Sequence, residues 1–202
     1  MLGLAFDQSG EPLRSPGFLF DMNRFFQRLV SLFLHDNLIG QRIVDEWPIR
    51  SVFAYSPTAN PRRRTAPSPR PDFALIRSNG LRGFLDAKYR DVWEHGLPAD
   101  WLYQLSIYAL SAPTRVSVLL YASMAEGARD ERIDIRSPFL GTTDGPASVI
   151  LRPVPLVKLA ELLNPGRMDS LTAQRQKRAE DFVALRAQQS TGLSTGFDAQ
   201  AA

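Results

Sequence analysis

Apolar residues recur at helical spacing near the start of the chain and as short runs farther along it. Five apolar residues fall on one helical face, with no proline or glycine between them: Met22, Phe26, Leu29, Val30 and Phe33. Asp21 is positioned to cap the start of this segment, and Gly40 follows its end. The pattern therefore predicts an amphipathic helix over Leu19–Leu38.

Runs rich in β-branched and aromatic residues predict strands in the middle of the chain. Arg42–Tyr55 predicts one or two strands around Pro48. Pro71–Arg77 and Leu81–Tyr89 flank the turn signal Ser78-Asn79-Gly80, so they predict a hairpin. Further strands are predicted at Val116–Tyr121, Arg132–Arg136 and Ser148–Pro153.

Three later segments have helical character. Pro98–Ala112 carries a proline at its start and another just beyond its end, which favours a helix between them. Leu156–Leu163 predicts a short helix, and Met168–Ala187 a polar one. Between the elements, Asp91–Gly96 is predicted to be a linker, and the proline-rich Ser56–Arg70 a mobile, exposed loop.

The order of these elements predicts a mixed α/β fold, with a central mixed β-sheet flanked by helices. With 202 residues, 44% of them hydrophobic, the chain can bury one sizeable core. We expect a lead-in over residues 1–18, a main domain over 19–165 and a C-terminal helix within 166–187. Residues 188–202 are rich in small and polar side chains and are predicted to be disordered.

The composition excludes several classes of protein and site. The chain has no cysteine, so disulfides, thiolate zinc sites and cysteine nucleophiles are ruled out. No apolar run approaches the roughly 20 residues that span a bilayer. The first ten residues lack the positive charge of a secretory signal. We therefore expect a cytoplasmic protein without a membrane partner.

Positive charge is concentrated in one window of the chain. Residues 62–90 carry eight Lys or Arg and two Asp, a local net charge of +6 within a chain whose total is +3. This window indicates a surface that faces a polyanion, with Arg62, Arg63, Arg64 and Arg90 as candidate phosphate contacts. A solvated basic loop explains the charge alone equally well.

The predicted hairpin carries the candidate chemistry. Asp72 lies at the start of its first strand, just after Pro71, and Asp86 and Lys88 lie two apart on the second, which places them on one face. Two carboxylates and the Ala87 carbonyl form an oxygen-rich site suited to Mg²⁺ or Mn²⁺. Lys88 is placed to orient a water or to stabilise charge on a phosphate, and whether it takes a proton is left open.

Each of these residues also has a structural interpretation. Asp72 is placed to cap a turn, and Asp86 to pair with Arg82 or Arg90. Gln104 and Tyr108 lie four apart on the next helix and share a face, from which they reach either Lys88 or a DNA phosphate. They are equally well explained as ordinary helix residues. The ordered set favours the catalytic interpretation over the structural ones.

In order, Pro71-Asp72, Asp86-Ala87-Lys88 and Gln104 to Tyr108 resemble the PD-(D/E)XK nuclease pattern with its QxxxY addition. The residues in and around these motifs are similar to those of the McrC family, the nuclease subunit of the McrBC 5-methylcytosine restriction system. The segment Phe18–Phe26 resembles that family's helix before its nuclease strands. The resemblance covers roughly residues 15–125.

The resemblance implies a restriction-endonuclease-like core and Mg²⁺-dependent cleavage of double-stranded DNA, with a McrB-like AAA+ GTPase motor as partner. It implies metal and catalytic positions at Asp72, Asp86 and Lys88, with Gln104 and Tyr108 as further catalytic residues. One departure stands out: the family usually has Phe-Glu where this chain has Phe26-Gln27. Gln27 could bind metal only through its carbonyl oxygen, which leaves a catalytically weakened DNA-binding or motor-partner module as the alternative.

Overall fold

The computed structural model describes residues 21–50, 52–136, 146–164, 166 and 169–187. The lead-in 1–18, the first two residues of the predicted first helix and the tail 188–202 lie outside these ranges. Within them, no helix is long and apolar enough to cross a membrane. The domain boundaries expected from the sequence stay predictions.

A six-stranded mixed sheet forms the centre of the fold, in the order β1-β2-β3-β4-β6-β5. The strands β1 to β3 form an antiparallel unit, β3, β4 and β6 run parallel, and β5 returns antiparallel at the far edge. The strands span Gln41–Asp45 (β1), Phe73–Arg77 (β2), Gly80–Lys88 (β3), Val116–Ser123 (β4), Glu131–Ile135 (β5) and Ala147–Pro155 (β6).

Helices cover both faces of this sheet, which confirms the predicted fold class. They span Met22–Asn37 (α1), Val92–His95 (α2), Ala99–Ser111 (α3), Leu156–Leu162 (α4) and Thr172–Val183 (α5), with short 3-10 helices at Pro57–Ala59 and Asp169–Leu171. The helix α3 lies in the crossover between the parallel strands β3 and β4, as such a connection requires.

The sheet separates two hydrophobic cores. On the face covered by α1 and α5, called the α1 face, Phe33 packs against Phe182 with ring centroids 5.8 Å apart. On the opposite face, called the α3 face, Phe84 packs against Tyr108 at 6.3 Å. Because β4 is buried on both faces, its residues read as a continuous apolar run rather than an alternating one.

Several predicted elements are confirmed with small shifts of their ends. Asp21 caps α1, its carboxylate accepting the Arg24 N–H at 3.0 Å. The hairpin β2–β3 and the helix after Pro98 form as the sequence predicts. The strands β4, β5 and β6 and the helix α4 also occupy their predicted segments.

Two local predictions need correction. Of the one or two strands predicted within Arg42–Tyr55, one forms: β1 ends at Asp45, and the described residues 48–50 and 52–55 form no strand. The Ile49 N–H donates to the Pro69 carbonyl at the base of a loop instead. Proline has no N–H to donate to a sheet, which favours ending the strand before it. The segment predicted as a linker contains the one-turn helix α2, because the Asp91 carboxylate caps it by accepting from Trp93 N and Glu94 N.

A buried arginine fastens the C-terminal segment to the sheet. Arg152 on β6 is 2% exposed and donates to both carboxylate oxygens of Asp130, with the shortest contact 2.6 Å. It also donates to the carbonyls of Phe182, Ala184 and Arg186 at 3.1, 2.7 and 2.8 Å. These bonds occupy three guanidinium nitrogens and bind the end of α5 to the core.

Candidate active site

The candidate carboxylates meet where β2 begins and β3 ends. Phe73 on β2 pairs with Leu85 on β3, so one further step of the antiparallel register sets Asp72 opposite Asp86. Phe73 and Leu85 both point to the α1 face. Side chains alternate along a strand, so Asp72 and Asp86 point to the α3 face.

Short polar contacts join these residues. Asp72 Oδ2 accepts the backbone N–H of Ala87 at 2.7 Å. Asp86 Oδ2 accepts from Lys88 Nζ at 2.6 Å, which places both side chains on one face, as the spacing predicts. Thus Asp72 binds the facing strand instead of capping a turn, and Asp86 pairs with Lys88 instead of Arg82 or Arg90.

The site contains two carboxyl groups, Asp72 and Asp86, but a single nearby ammonium group, that of Lys88, to balance their charge. Burial, together with the charge of Asp86, raises the pKa of Asp72 to about 7. The Ala87 N–H and the charge of Lys88 lower this pKa but do not outweigh the increase. Asp86 is 2% exposed, and its burial raises its pKa despite the lowering effect of Lys88. The two carboxyl groups therefore lie beside a single ammonium group, which pairs with Asp86 and acts on Asp72 through its charge.

Lys88 is held in its protonated form. Burial alone would lower the pKa of its ammonium group, but the charge and hydrogen bond of Asp86, together with Asp72, outweigh it and raise the pKa. The Nζ atom also lies 5.8 Å from the ring centroid of Trp101 on α3, within cation–π range. A protonated lysine here can stabilise developing negative charge but is not a base at neutral pH.

The two α3 residues of the motif contact each other. Gln104 Nε2 donates to Tyr108 Oη at 2.6 Å, confirming that they share a helical face. Tyr108 is fully buried against Phe84, so its hydroxyl does not reach solvent in this structure. Its pKa is raised by burial and further by the charges of Asp86 and Asp72. The pair therefore lies beside the carboxylates as part of the packed wall of the site.

Gln27 lies on α1, which covers the other face of the sheet. Its half-buried side chain lines a cavity of about 520 Å³ together with Asp45, Glu46 and Phe73. Neither Asp72 nor Asp86 is among the residues that line this cavity. Gln27 as a metal ligand therefore stays a prediction, and it would have to approach the carboxylates around the end of the sheet.

The candidate DNA contacts lie in two segments, the loop between β1 and β2 and the residues just after β3. The loop that carries Arg62, Arg63 and Arg64 joins β1 to β2, and it leaves and re-enters the sheet next to Asp72. All three arginines are exposed, and Asn60 closes their turn by accepting the Arg64 N–H at 2.8 Å and donating to the Arg64 carbonyl at 2.9 Å.

Arg90 is also exposed, two residues beyond Lys88, and donates to the His95 carbonyl at 3.4 Å. Its position beyond the end of β3 keeps it close in sequence to the carboxylates. A role for these four arginines in binding DNA stays a prediction.

The donor set fits a divalent cation of the Mg²⁺ type only in part. Across the described ranges, no three Asp, Glu or His side chains are gathered closely enough to form a complete metal site. Mg²⁺ typically takes one or two carboxylates and keeps several waters or substrate oxygens, so Asp72 and Asp86 provide what such an ion needs from the protein. The Ala87 carbonyl remains a candidate third oxygen.

Sequence reasoning did not identify Trp101 as part of this site. Its residue type suggested packing, and the three-residue spacing to Gln104 is the one signal that could have indicated it. Nor was Glu46 considered, because it follows β1 in a segment that the pattern assigned to strand.

Comparison with known proteins supports the fold. No protein-family model matches the chain, and no curated protein matches it. A chain in the solved half-complex from a tetradecameric assembly of Thermococcus gammatolerans McrB AAA+ hexamers with bound McrC is similar, with a TM-score of 0.50 and 21% identity. The match covers 80% of this chain and 33% of that one, so this chain spans about a third of its neighbour's length. At this identity the likeness shows a shared fold.

Proposed function

We propose that this chain is the nuclease core of a McrC-like, metal-dependent endonuclease of the PD-(D/E)XK type that hydrolyses phosphodiester bonds in double-stranded DNA. The observation that carries the proposal is the convergence of Asp72, Asp86 and Lys88 at one end of the sheet, on the face that α3 covers. Two neighbouring carboxylates with raised pKa values beside one lysine are costly for packing alone and are typical of functional sites.

The carboxylates are the metal-binding groups of the proposal. Asp72 and Asp86 would hold Mg²⁺ or Mn²⁺, with the Ala87 carbonyl as a further oxygen. When bound, such an ion polarises the phosphodiester and lowers the pKa of a nearby water. Lys88, already protonated, stabilises the charge that develops on the phosphate.

Groups around the carboxylates would position this lysine and the DNA. Gln104 and Tyr108 support the α3 wall of the site through their mutual hydrogen bond. The exposed arginines Arg62 to Arg64 and Arg90 would contact backbone phosphates, which position DNA without reading its sequence.

We further propose that the chain works in a restriction system with an AAA+ GTPase partner. The support is the resemblance of its motifs to the McrC family, together with a fold shared with a chain of an assembly that holds McrB AAA+ hexamers and McrC. An AAA+ GTPase encoded next to this chain would be the first partner to test.

Plasmid cleavage tests the proposed activity. Supercoiled DNA is incubated with Mg²⁺ and the protein, with and without the AAA+ partner and GTP. We expect Asp86→Asn and Lys88→Ala to reduce cleavage by a factor on the order of 100 or more, because each removes a group that acts on charge in the transition state.

Matched controls are available on the helices. Asp36→Asn on α1 and Lys177→Ala on α5 make the same chemical changes at exposed positions and should leave cleavage unchanged. Cleavage that persists unchanged in Asp86→Asn or Lys88→Ala would show that the assigned site is wrong.

Gln27 favours a second function, a nuclease-like module that binds DNA or the motor with little turnover. Its neutral amide stands where the McrC family usually has a glutamate. If this function is right, the unaltered chain binds DNA in a salt-sensitive manner without cutting it, and Gln27→Glu gains cleavage. Full cleavage by the unaltered chain would exclude it.

A further inference from the structure

The site has one buried and one half-buried carboxylate, and a neutral residue at the helical position where the resembling family has a third acid. Glu46, an acidic residue outside the motif, directly follows β1 at the same end of the sheet. We infer that Glu46 supplies the third carboxylate of the metal site in place of Gln27. This inference rests on the proposed function and names a ligand for the same ion.

The register of the sheet sets Glu46 beside Asp72. Asp45 on β1 pairs with Phe73 on β2, so the next antiparallel step sets Glu46 opposite Asp72. The Glu46 N–H donates to the Asp72 carbonyl at 2.9 Å, which shows that the two backbone segments are still paired just beyond β1 and β2. Residues directly opposite in an antiparallel pair bring their side chains close together.

The neighbouring acid serves as a contrast. Asp45 is held on the α1 face, where its carboxylate accepts from Ser31 Oγ at 2.9 Å and lies 3.5 Å from His35 Nε2. Glu46 forms no side-chain hydrogen bond or ion pair with the described part of the chain and is exposed. Its carboxylate is therefore free to turn toward an ion, whereas that of Asp45 is already engaged.

Glu46 also lines the cavity that contains Gln27, although Asp72 and Asp86 do not line it. Glu46 differs from Gln27 in that its backbone is paired with that of Asp72, so its side chain starts beside the carboxylates. An acid that follows β1 is therefore placed between the region that a glutamate on α1 would serve and the two carboxylates.

The Glu46 side chain must move to bind. The described residues form no ready-made group of three acids, so the carboxylate would turn inward when a cation occupies Asp72 and Asp86. Such a rotamer change in an exposed side chain is fast. Glu46 has a φ of 50°, so the chain turns at this residue as it leaves β1.

Mn²⁺ binding measured by calorimetry on the full chain tests the inference without relying on cleavage. We expect Glu46→Gln, which keeps the side-chain size and the backbone, to weaken Mn²⁺ binding by at least about tenfold, the smaller end of the effect of losing a group that supports a metal. Asp45→Asn removes the same charge one residue away and should change the affinity less than twofold. Thermal melting confirms that both variants fold.

A relocation variant tests whether the two positions are equivalent. In the Glu46→Gln background, Gln27→Glu restores tight Mn²⁺ binding if the helix and strand positions serve the same ion. If Glu46→Gln binds Mn²⁺ weakly and the double variant binds it no more tightly, Glu46 remains the ligand. The equivalence of its position to the helical position of Gln27 is then overturned.

The outcomes separate this inference from the proposed function. Wild-type affinity in Glu46→Gln, with loss of binding in Asp86→Asn, would overturn the role of Glu46 and leave the metal site intact. An equal loss of Mn²⁺ affinity in Glu46→Gln and Asp45→Asn would show that only the local negative charge matters. That result would also overturn the role of Glu46 as a ligand. No Mn²⁺ binding by the unaltered chain would overturn the proposed function itself.

Discussion

Two charged clusters in this molecule differ in how completely their charges are satisfied. Around the buried Arg152, one guanidinium group meets one carboxylate and three backbone carbonyls. At the end of β3, Asp86 pairs with the ammonium group of Lys88, while the nearby Asp72 carboxylate accepts a backbone N–H. Counting these side chains alone, the first cluster is neutral, and the second carries one excess negative charge when both acids are ionised.

This difference in how the charges are satisfied indicates different roles for the two clusters. A buried pair with every donor used stabilises one arrangement of the chain, here the attachment of the segment after α5 to the sheet. The half-buried Asp72, whose pKa is raised to about 7, is unfavourable in its ionised form unless a cation joins it. The Arg152 cluster thus contributes to stability, whereas the ionised Asp72 cluster lowers it, as we expect of a cation site under the proposed function.

Breaking the satisfied cluster should have the largest effect. We expect Arg152→Met to lower the free energy of unfolding by about 3–5 kcal/mol, because Asp130 and the carbonyls would remain buried without their partner. Urea denaturation measures the change.

The exposed pair Arg132–Asp134, with its atoms 2.8 Å apart, provides the control for this variant. Arg132→Met should cost less than about 1 kcal/mol, as exposed pairs do. Equal effects of the two variants would remove the distinction between a buried cluster and a surface one.

Neutralising the unsatisfied cluster should have the opposite sign. Asp72 has a folded pKa of about 7 against an ordinary value of 3.8, so folding binds protons and the stability falls as pH rises between these values. We expect Asp72→Asn to raise the free energy of unfolding at pH 8 by roughly 2 kcal/mol and to have little effect near pH 4.

Urea denaturation of both proteins from pH 4 to pH 8, without divalent cations, measures this prediction. The two curves should separate as the pH rises, since only the unaltered chain has to ionise Asp72. An Asp72→Asn variant that is less stable than the unaltered chain at pH 8 would show that the carboxylate stabilises the fold.

The smallest effect concerns how Lys88 is held. Its ammonium group contacts Asp86 on one side and the Trp101 ring on the other. If a cation engages Asp86, Trp101 remains as the second contact, and a cation–π interaction is worth about 0.5–1 kcal/mol. We expect Trp101→Leu to lower the cleavage rate about two- to fivefold, while Trp101→Phe retains most of it.

DNA affinity distinguishes this role from base stacking. In filter binding, Trp101→Leu should bind duplex DNA as the unaltered chain does, since the ring acts through Lys88. A drop in DNA affinity with unchanged turnover would assign Trp101 to DNA contact instead.

Local patterns predicted the parts of the site that lie close in sequence. The two-residue spacing of Asp86 and Lys88 indicated a shared strand face, and the four-residue spacing of Gln104 and Tyr108 a shared helical face. Both follow from the periods of the strand and the helix, which the sequence shows directly. The hairpin was predicted because its turn signal separates two apolar runs.

The contacts that depend on the tertiary fold were not predictable in this way. Arg152 and Asp130 are 22 residues apart, and nothing local indicates that they meet. Glu46 and Asp72 become neighbours only through the antiparallel register of β1 and β2. The helix α2 that Asp91 caps is a single turn, too short to show an apolar period in the sequence.

Calorimetric titration of Mn²⁺ into the unaltered chain and into Asp86→Asn, at pH 8 and at pH 5.5, tests the central claim most directly. We expect saturable binding at pH 8 that weakens at pH 5.5, as Asp72 becomes protonated, and that is lost in Asp86→Asn. Absence of binding at pH 8, or equal binding by Asp86→Asn, would contradict the assignment of this end of the sheet as a metal site.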